Sequence, residues 1–347
     1  SANSAFGYGS LQNNTTAGVN SAFGYKALLS NTTGTNNTAI GANALQNNTF
    51  GGYNAALGRA TLFSNTTGIQ NVAIGALSLY TNTIGRFNVA IGTYSLYSNS
   101  TGEKNSAFGS YALYNNTTSN NSAFGYKALL SNTTGTRNIA IGVGALQANT
   151  IGNSNTAVGH NSLISNTTGD NNSAFGRYSL RYNITGQSNS AFGSNALRLN
   201  TTGINNSAFG FYALRDNIVG QNNSAFGYQS LRYNTVNNNN AFGKDSLTAN
   251  TTGNYNSAFG DRSLYANTIG SFNSAFGRDS LVYNTTGVNN TAVGYRSLLA
   301  NTIGSQNVAV GRDTLTSNTF GNYNSAVGGN ALGSNTIGSF NSAFGYK

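Results

Sequence analysis

The chain has 347 residues, no cysteine and no proline, and only 7% of its residues are charged, with a net charge of +10 at neutral pH. The missing cysteine excludes a disulfide framework, and no apolar stretch reaches the ~18–20 residues of a membrane-spanning helix. Asn, Ser, Thr and Gly supply the polarity. The absence of proline favours a backbone whose N–H groups are needed in β-ladders.

One unit, Asn-Ser-Ala-Phe-Gly-x-x-Ser-Leu-x-x-Asn-Thr-Thr-Gly-x-x, repeats from Asn3 onward. Twenty complete units precede a partial one at Asn341; they have 17 residues, except the 16-residue units that begin at Asn105 and Asn223. A short fixed period predicts a solenoid in which each unit is one coil. Neither end departs from the consensus as a capping repeat would, so we expect a piece of a longer repeat protein. We predict an all-β, parallel β-solenoid with about 17 residues per coil, as one domain over residues 1–347.

The first five positions of the unit, counted from its first Asn, predict a strand. Positions 2 and 4 exchange volume, because Ser21 accompanies Phe23 whereas Val72 accompanies Ile74. Side chains two residues apart share a face only in a β-strand, and volume exchange is expected inside a close-packed interior. We therefore predict that positions 2 and 4 face the core.

The second half of the unit predicts a turn. Gly at position 15 is expected to supply a positive φ, with the residues at positions 14 and 17, such as Ile84 and Phe87, in contact across it. Asn is invariant at positions 1 and 12, which predicts amide ladders along stacked coils. The triplet Asn-Thr-Thr is also a glycosylation acceptor. The Asn column continues where Ile84 and Ile151 break that triplet, and we favour the ladder.

Position 3 is Ala in every unit, which suits close approach of another backbone. Each coil contributes few large apolar side chains, worth ~1.5–3 kcal/mol apiece when buried, so the core of one chain is thin. We expect self-association. Ala191 and Ala208 are predicted to lie either against a neighbouring chain or in a tight seam between sheets.

Position 10 carries two distinct columns. The first consists of the aromatic residues Phe63, Tyr80, Tyr97 and Tyr114. The second consists of Arg181, Arg198, Arg215 and Arg232. The aromatic column suits a sugar platform or a subunit interface, and we favour the interface because aligned exposed aromatics are a liability in a monomer. The cationic column suits anionic polysaccharide, lipopolysaccharide or nucleic acid, or is a solvated ridge that keeps copies apart.

Little in the sequence supports catalysis. The only histidine is His160, at a variable position, and Asp245, Asp279 and Asp313 recur at position 7 beside lysine or arginine, which indicates exposed ion pairs. Carboxylate pairs occur in glycosidases, but phosphate-binding loops and metal-ligand motifs are missing. We predict a protein that is not an enzyme and has no cofactor or metal. A column of Thr at position 13 raises ice binding as an alternative.

The segments Asn71–Gly75 and Asn88–Gly92, both Asn-Val-Ala-Ile-Gly, resemble the Ser-Val-Ala-Ile-Gly motif of the YadA-like heads of trimeric autotransporter adhesins. The longer unit is similar to repeats of bacterial surface and phage tail-fibre proteins, and its period exceeds that of the adhesin heads. The resemblance implies a left-handed β-roll that packs as a homotrimer in an extracellular fibre at the cell surface, without inserting in the membrane. We predict a structural or adhesive module whose partners are further copies of itself and either a host or prey surface glycan or an anionic polysaccharide. A phage tail-fibre shaft and a polysaccharide- or ice-binding solenoid are the alternatives.

Overall fold

The computed structural model describes residues 2–346 and contains no helix within them. It is a parallel β-solenoid with about 17 residues per turn, which confirms the predicted fold class; the handedness stays a prediction. The chain forms two compact units, Ser1–Asn172 and Ser173–Lys347, which are described separately below. That one domain spans the whole sequence also stays a prediction.

Each coil contributes one three-residue strand, at positions 2–4 of the unit, which is shorter than the predicted five. The strands of the first unit are β1 (Ser4–Phe6), β2 (Ser21–Phe23), β3 (Thr38–Ile40), β4 (Ala55–Leu57), β5 (Val72–Ile74), β6 (Val89–Ile91), β7 (Ser106–Phe108), β8 (Ser122–Phe124), β9 (Ile139–Ile141) and β10 (Thr156–Val158). Those of the second unit are β11 (Ser173–Phe175), β12 (Ser190–Phe192), β13 (Ser207–Phe209), β14 (Ser224–Phe226), β15 (Asn240–Phe242), β16 (Ser257–Phe259), β17 (Ser274–Phe276), β18 (Thr291–Val293), β19 (Val308–Val310), β20 (Ser325–Val327) and β21 (Ser342–Phe344).

Within each unit every strand pairs in parallel with the next strand along the chain. The pairing runs from β1 to β10 in the first unit and from β11 to β21 in the second. Equal positions face each other, so Ala208 lies between Ala191 and Ala225. Repetition of the sequence therefore becomes stacking of identical side chains in columns.

The short coils keep this register because the deletion is absorbed in the turn. In the coil from Asn105, the carbonyl of Thr118 accepts the Asn105 Nδ2 hydrogen bond at 2.7 Å, which a glycine carbonyl accepts in other coils. In the coil from Asn223, the carbonyl of Val236 does the same at 2.7 Å. The turn tolerates a lost residue as long as one carbonyl remains at this point.

The strand side chains face the opposite way from our prediction. Ala at position 3 is buried in every strand from β2 to β20, whereas positions 2 and 4 are half-buried or exposed, as in β13 and β2. Positions 2 and 4 do share a face, but it is the outer one. The interior is filled by the Leu of position 9, the small residue of position 8 and buried asparagine amides, which leaves room for only a methyl group at position 3.

The invariant Leu of position 9 adopts a left-handed backbone conformation. Leu197 and Leu231, for example, have φ of 48° and 49° and are fully buried. This conformation costs a non-glycine residue ~1–2 kcal/mol, and burying a Leu side chain contributes ~1.5–3 kcal/mol. Where position 8 is Ser, its hydroxyl closes the turn before the Leu, as Ser280 Oγ donates to the Gly277 carbonyl at 2.9 Å. Burial of the side chain thus holds the backbone in a strained state.

The predicted asparagine ladders are confirmed. At position 12, Asn200 Nδ2 donates to Asn183 Oδ1 at 2.8 Å and to the Gly203 carbonyl at 3.0 Å. At position 1, the Asn206 backbone N–H donates to Asn189 Oδ1 at 3.0 Å. These side chains are fully buried. A buried, hydrogen-bonded amide is closed to glycosylation in the folded chain, so the structure excludes that alternative for them.

The late glycine is required for space and not for a positive φ, contrary to our prediction. The φ of Gly203 lies outside the left-handed region, but a Cβ atom there would lie 2.5 Å from the Gly220 carbonyl oxygen of the next coil and closer still to Asn200 Oδ1. The positive φ of this turn falls at position 17, where Asn205 has φ 56°. The glycine at position 5 does need its conformation, since Gly193 has φ +136°.

Candidate binding surfaces

The outer face of the second unit carries a continuous row of phenylalanine rings, here called the Phe ladder. It consists of the position-4 residues Phe175, Phe192, Phe209, Phe226, Phe242, Phe259 and Phe276. Neighbouring ring centroids are 4.6–5.0 Å apart and the rings are nearly parallel. Serine at position 2 flanks most rungs, so nothing large covers the rings. Phe276 is 41% exposed, and the other six rings are half-buried.

The outer face of the first unit presents a similar apolar row with mixed side chains. Phe23, Ile40, Leu57 and Ile141 of position 4 are exposed, and Phe108 and Phe124 stack at 4.7 Å. Sequence analysis missed both rows because it assigned position 4 to the interior. The period-two pattern identifies a shared face but does not say whether that face points inward or outward.

A second set of exposed apolar side chains borders the turn. Ile84 and Phe87 of the first unit and Phe320 and Tyr323 of the second are all exposed. Where two successive coils both carry an aromatic residue at position 17, the two rings stack, as Tyr323 does on Phe340 at 4.9 Å. The predicted contact between positions 14 and 17 stays a prediction, while the stacking between coils is an additional finding.

The predicted aromatic column of the first unit is a stack. Ring centroids are 5.1 Å apart between Phe63 and Tyr80, 5.3 Å between Tyr80 and Tyr97, and 5.2 Å between Tyr97 and Tyr114. The rings cover one another's faces, so a sugar finds few open ring faces along the column. The choice between sugar platform and subunit interface stays open, and this stacking favours the interface.

Two tyrosines at position 7 extend the column sideways, which sequence analysis missed. Tyr94 stacks on Tyr111 at 5.2 Å, and their rings lie 5.6 Å from Tyr97 and Tyr114 respectively. Desolvation and then the neighbouring phenols of Tyr114, Tyr80 and Tyr94 raise the pKa of the Tyr97 hydroxyl above its ordinary value. Positions 7 and 10 therefore lie on one surface of the coil.

The predicted cationic column belongs to a larger set in the second unit, here called the Arg–Tyr cluster. Its members are Arg177, Tyr178, Arg181, Tyr182, Arg198, Tyr212, Arg215, Arg232 and Tyr233. The guanidinium of Arg181 lies 4.5 Å from the Tyr178 ring and 5.1 Å from the Tyr182 ring. That of Arg232 lies 5.1 Å from Tyr212 and 4.9 Å from Tyr233. All are within range of cation–π attraction.

The arginines of the cluster are not equivalent. Arg215 forms a bidentate ion pair with Asp216, both N···O distances being 2.7 Å, and this hydrogen bonding raises the pKa of Arg215 further. Arg232 donates from Nη1 to the Gln229 side chain at 3.0 Å. The hydrogen bond from Arg177 at 3.2 Å lowers the pKa of the Tyr178 hydroxyl. Sequence analysis found the column but missed Tyr178 and Tyr212, whose rings lie against its guanidiniums.

The recurring aspartates of the second unit form ion pairs, as predicted. Asp279 lies 3.6 Å from Arg262 and 3.4 Å from Arg278, and Asp313 lies 3.5 Å from Arg296. These pairs are less exposed than predicted, since the Asp279 and Asp313 side chains are only 12% and 18% exposed. Among the described residues no group of His, Asp and Glu is arranged to hold a metal ion. His160 is exposed.

The small-residue column does not form an intermolecular surface. Ala191 and Ala208 are 0% exposed inside their own coils, so neither methyl group reaches a neighbouring chain. The first of the two placements predicted for them is therefore wrong, and the interior placement remains. The physical reason is the inward orientation of position 3, which makes the column a core seam.

The threonine column at position 13 is used by the fold itself. Thr32 Oγ1 donates to the Thr49 carbonyl at 3.0 Å in the first unit, and Thr285 Oγ1 donates to the Thr302 carbonyl at 3.0 Å in the second. The hydroxyl hydrogens of these residues are engaged by the next coil. The column therefore offers methyl groups and oxygen lone pairs, and nothing in this geometry adds support to ice binding.

Within residues 2–346 there is no helix with the length and apolar character needed to cross a membrane. No model of a known protein family matches the chain, and no curated protein matches it either.

Proposed function

We propose that this chain is a structural and adhesive module of an extracellular fibre at the cell surface, in which copies associate through their outer sheet faces. The observation that carries the proposal is the Phe ladder, a contiguous row of stacked rings left on the outside of the sheet. A contiguous apolar row that remains partly exposed on the outside of a protein marks an interaction surface. Because the row repeats with the coil, an identical copy offers a matching row of the same spacing.

The remaining features suit a fibre and not an enzyme. Regular coils joined by buried amide ladders give a uniform scaffold whose surface columns vary in sequence while the Ala, Leu and Asn columns of the interior do not. We propose a homo-oligomer, with the trimer as the expected stoichiometry on the resemblance to YadA-like heads, and no catalytic activity or cofactor. A stable interface needs ~800 Å² from each partner, which the ladder and its flanking residues would have to supply together.

The test is the mass of the chain in solution. Sedimentation equilibrium of the native chain should give a multiple of the 36.0 kDa chain mass. Replacing alternate rungs in the variant Phe192→Ser/Phe226→Ser/Phe259→Ser should yield monomers, because polar rungs interrupt the apolar row. The matched control carries Val at the same three positions, a residue found at position 4 in Val158 and Val293, and should remain assembled.

Circular dichroism of each variant separates loss of assembly from loss of folding. A native chain that is monomeric at tens of micromolar would refute the proposal. So would a folded serine variant that assembles as well as the native chain, because the Phe ladder would then not be the interface.

A further inference from the structure

The Arg–Tyr cluster is the strongest local concentration of positive charge in the second unit that the fold does not neutralise. It holds five arginines and one neighbouring acid, Asp216, which is paired with Arg215. Five positive charges minus one negative leave a net charge of +4. The arginines at position 7 later in this unit are paired with acids, since Arg262 and Arg296 each lie beside an aspartate.

Three arginines of the cluster have an unsatisfied donor. The Nε atoms of Arg181, Arg198 and Arg232 are buried and have no hydrogen-bond partner among the described residues. A buried donor without a partner costs ~1–3 kcal/mol, and more when it is charged. The Nε atoms themselves are closed to solvent, but the three side chains are only half-buried, so an oxyanion can pair with the outer Nη atoms of each guanidinium and offset its uncompensated charge.

The tyrosine rings fix the arginines in place. Each ring in the cluster has at least two guanidiniums within 6.0 Å, as Tyr212 has Arg215 and Arg232, both at 5.1 Å. Guanidiniums held on rings lose less conformational freedom when they bind a planar anion, and their forked N–H edges match carboxylate or sulfate oxygens. The surface is thus preorganised for oxyanions.

The arrangement also indicates the form of the ligand. The column repeats once per coil, in steps of ~4.8 Å, so it suits a linear polymer that carries an anionic group at regular intervals. Nucleic acid fits less well, because single strands bind by stacking bases on open aromatic faces. Here the ring faces are occupied by guanidiniums.

We infer that the Arg–Tyr cluster binds a linear anionic polysaccharide, whose carboxylate or sulfate groups pair with Arg181, Arg198 and Arg232. This inference names a ligand for the adhesive part of the proposed function, but it needs only the second unit's own residues and holds whether or not the chain assembles.

The test measures binding of the full chain to immobilised dextran sulfate and to polygalacturonate, which separate sulfate from carboxylate recognition, at physiological salt. The variant Arg181→Gln/Arg198→Gln should bind at least about tenfold more weakly, since each charge-assisted hydrogen bond is worth ~1.5–3 kcal/mol. Glutamine occupies position 10 in Gln12 and Gln46, so folding should be preserved. The slope of log affinity against log salt should fall by about two, roughly one per arginine.

Two further variants make the result specific. The control Arg59→Gln/Arg137→Gln removes the same charge from exposed positions of the first unit and should change affinity less than about twofold, the size of a small surface effect. Asp216→Asn releases Arg215 from its ion pair and should strengthen binding several-fold; asparagine is found at position 11 in Asn13.

Each outcome decides the matter. Selective loss in the cluster variant with a gain in Asp216→Asn supports the site. Equal loss in the cluster variant and the control, no binding of either polymer, or tighter binding of oligo-dT than of both polysaccharides overturns it. Repeating the assay on the Phe192→Ser/Phe226→Ser/Phe259→Ser variant separates the two proposals, because glycan binding should persist there even when assembly is lost.

Discussion

Replacing one ladder asparagine by alanine should destabilise the second unit by an amount that its hydrogen bonds predict. Asn200→Ala removes the bonds donated to Asn183 Oδ1 and the Gly203 carbonyl and the bond accepted from Asn217 Nδ2 at 3.1 Å. Three hydrogen bonds at ~1 ± 0.5 kcal/mol each give a loss of ~1.5–4.5 kcal/mol. The loss should lie toward the upper end because the Asn183 oxygen and the Asn217 nitrogen lose partners in a buried site.

Urea unfolding followed by circular dichroism measures this loss, provided that the denaturant slope matches that of the native chain. The control is Gln187→Ala, an exposed amide, which should change the free energy of unfolding by less than ~0.5 kcal/mol. Asn200→Asp adds a pH test. A buried carboxylate facing two carbonyl oxygens has a raised pKa, so that variant should be least stable at neutral pH and recover as the pH falls.

The same ladder predicts how the losses of stability from two alanine substitutions combine. Asn200→Ala and Asn217→Ala share a hydrogen bond, so the double variant should lose less than the sum of the single losses. Asn284 lies far along the chain with its own bonds to Asn267 and Gly287, and its loss should add to that of Asn200. If Asn200→Ala were as stable as Gln187→Ala, or if both pairs combined alike, the columns would not be held by amide ladders.

Three other substitutions test the interior and the tyrosine stack. Ala208→Leu should cost at least ~1–3 kcal/mol by overpacking the interior, whereas Ser207→Val on the outer face should be nearly neutral; equal urea midpoints for the two would mean that the strand faces are misassigned. Gly193→Ala should reduce the free energy of unfolding by ~1–3 kcal/mol and so lower the melting temperature, because the φ of Gly193 is +136° and a Cβ atom would lie 2.5 Å from the Gly210 carbonyl oxygen; an unchanged melting temperature would contradict this. The pKa of Tyr97 is raised, so the stability that it contributes is intact below about pH 10 and is lost above it. Tyr97→Phe should therefore flatten the decline in the free energy of unfolding at alkaline pH. A parallel decline in the native chain and the variant would show that ionisation of Tyr97 is not its cause.

Periodicity alone determined the architecture of this protein. The repeat of Ala, Leu and Asn at constant spacing permits one parallel arrangement in which equal positions stack, and the register of Ala191 on Ala208 is that arrangement. The amide ladders follow from the same fact, because an invariant Asn in a stack always lies beside another Asn. The ion pairs of Asp279 and Asp313 followed from local sequence, since a cation stands next to each.

Orientation was decided only by the tertiary structure. A period of two residues indicates that Ser207 and Phe209 share a face. The same period results whether that face points inward or outward. The width of the interior decides which face points inward. Because the buried Leu, the amides and the passing backbone fill the coil, position 3 admits a methyl group and the larger ring of Phe209 must lie outside.

For the Arg–Tyr cluster as well, the sequence determined one part of the arrangement and the tertiary structure determined the other. The sequence determined that Arg181 and Arg198 stack in one column, because both occupy position 10. Only the fold brings Tyr178, at position 7, beneath their guanidiniums, since the turn between the two positions contains the left-handed Leu180, with φ 47°. Spacing along the chain gives the rise from coil to coil, while the side-chain directions around a coil depend on backbone angles that a repeat pattern does not specify.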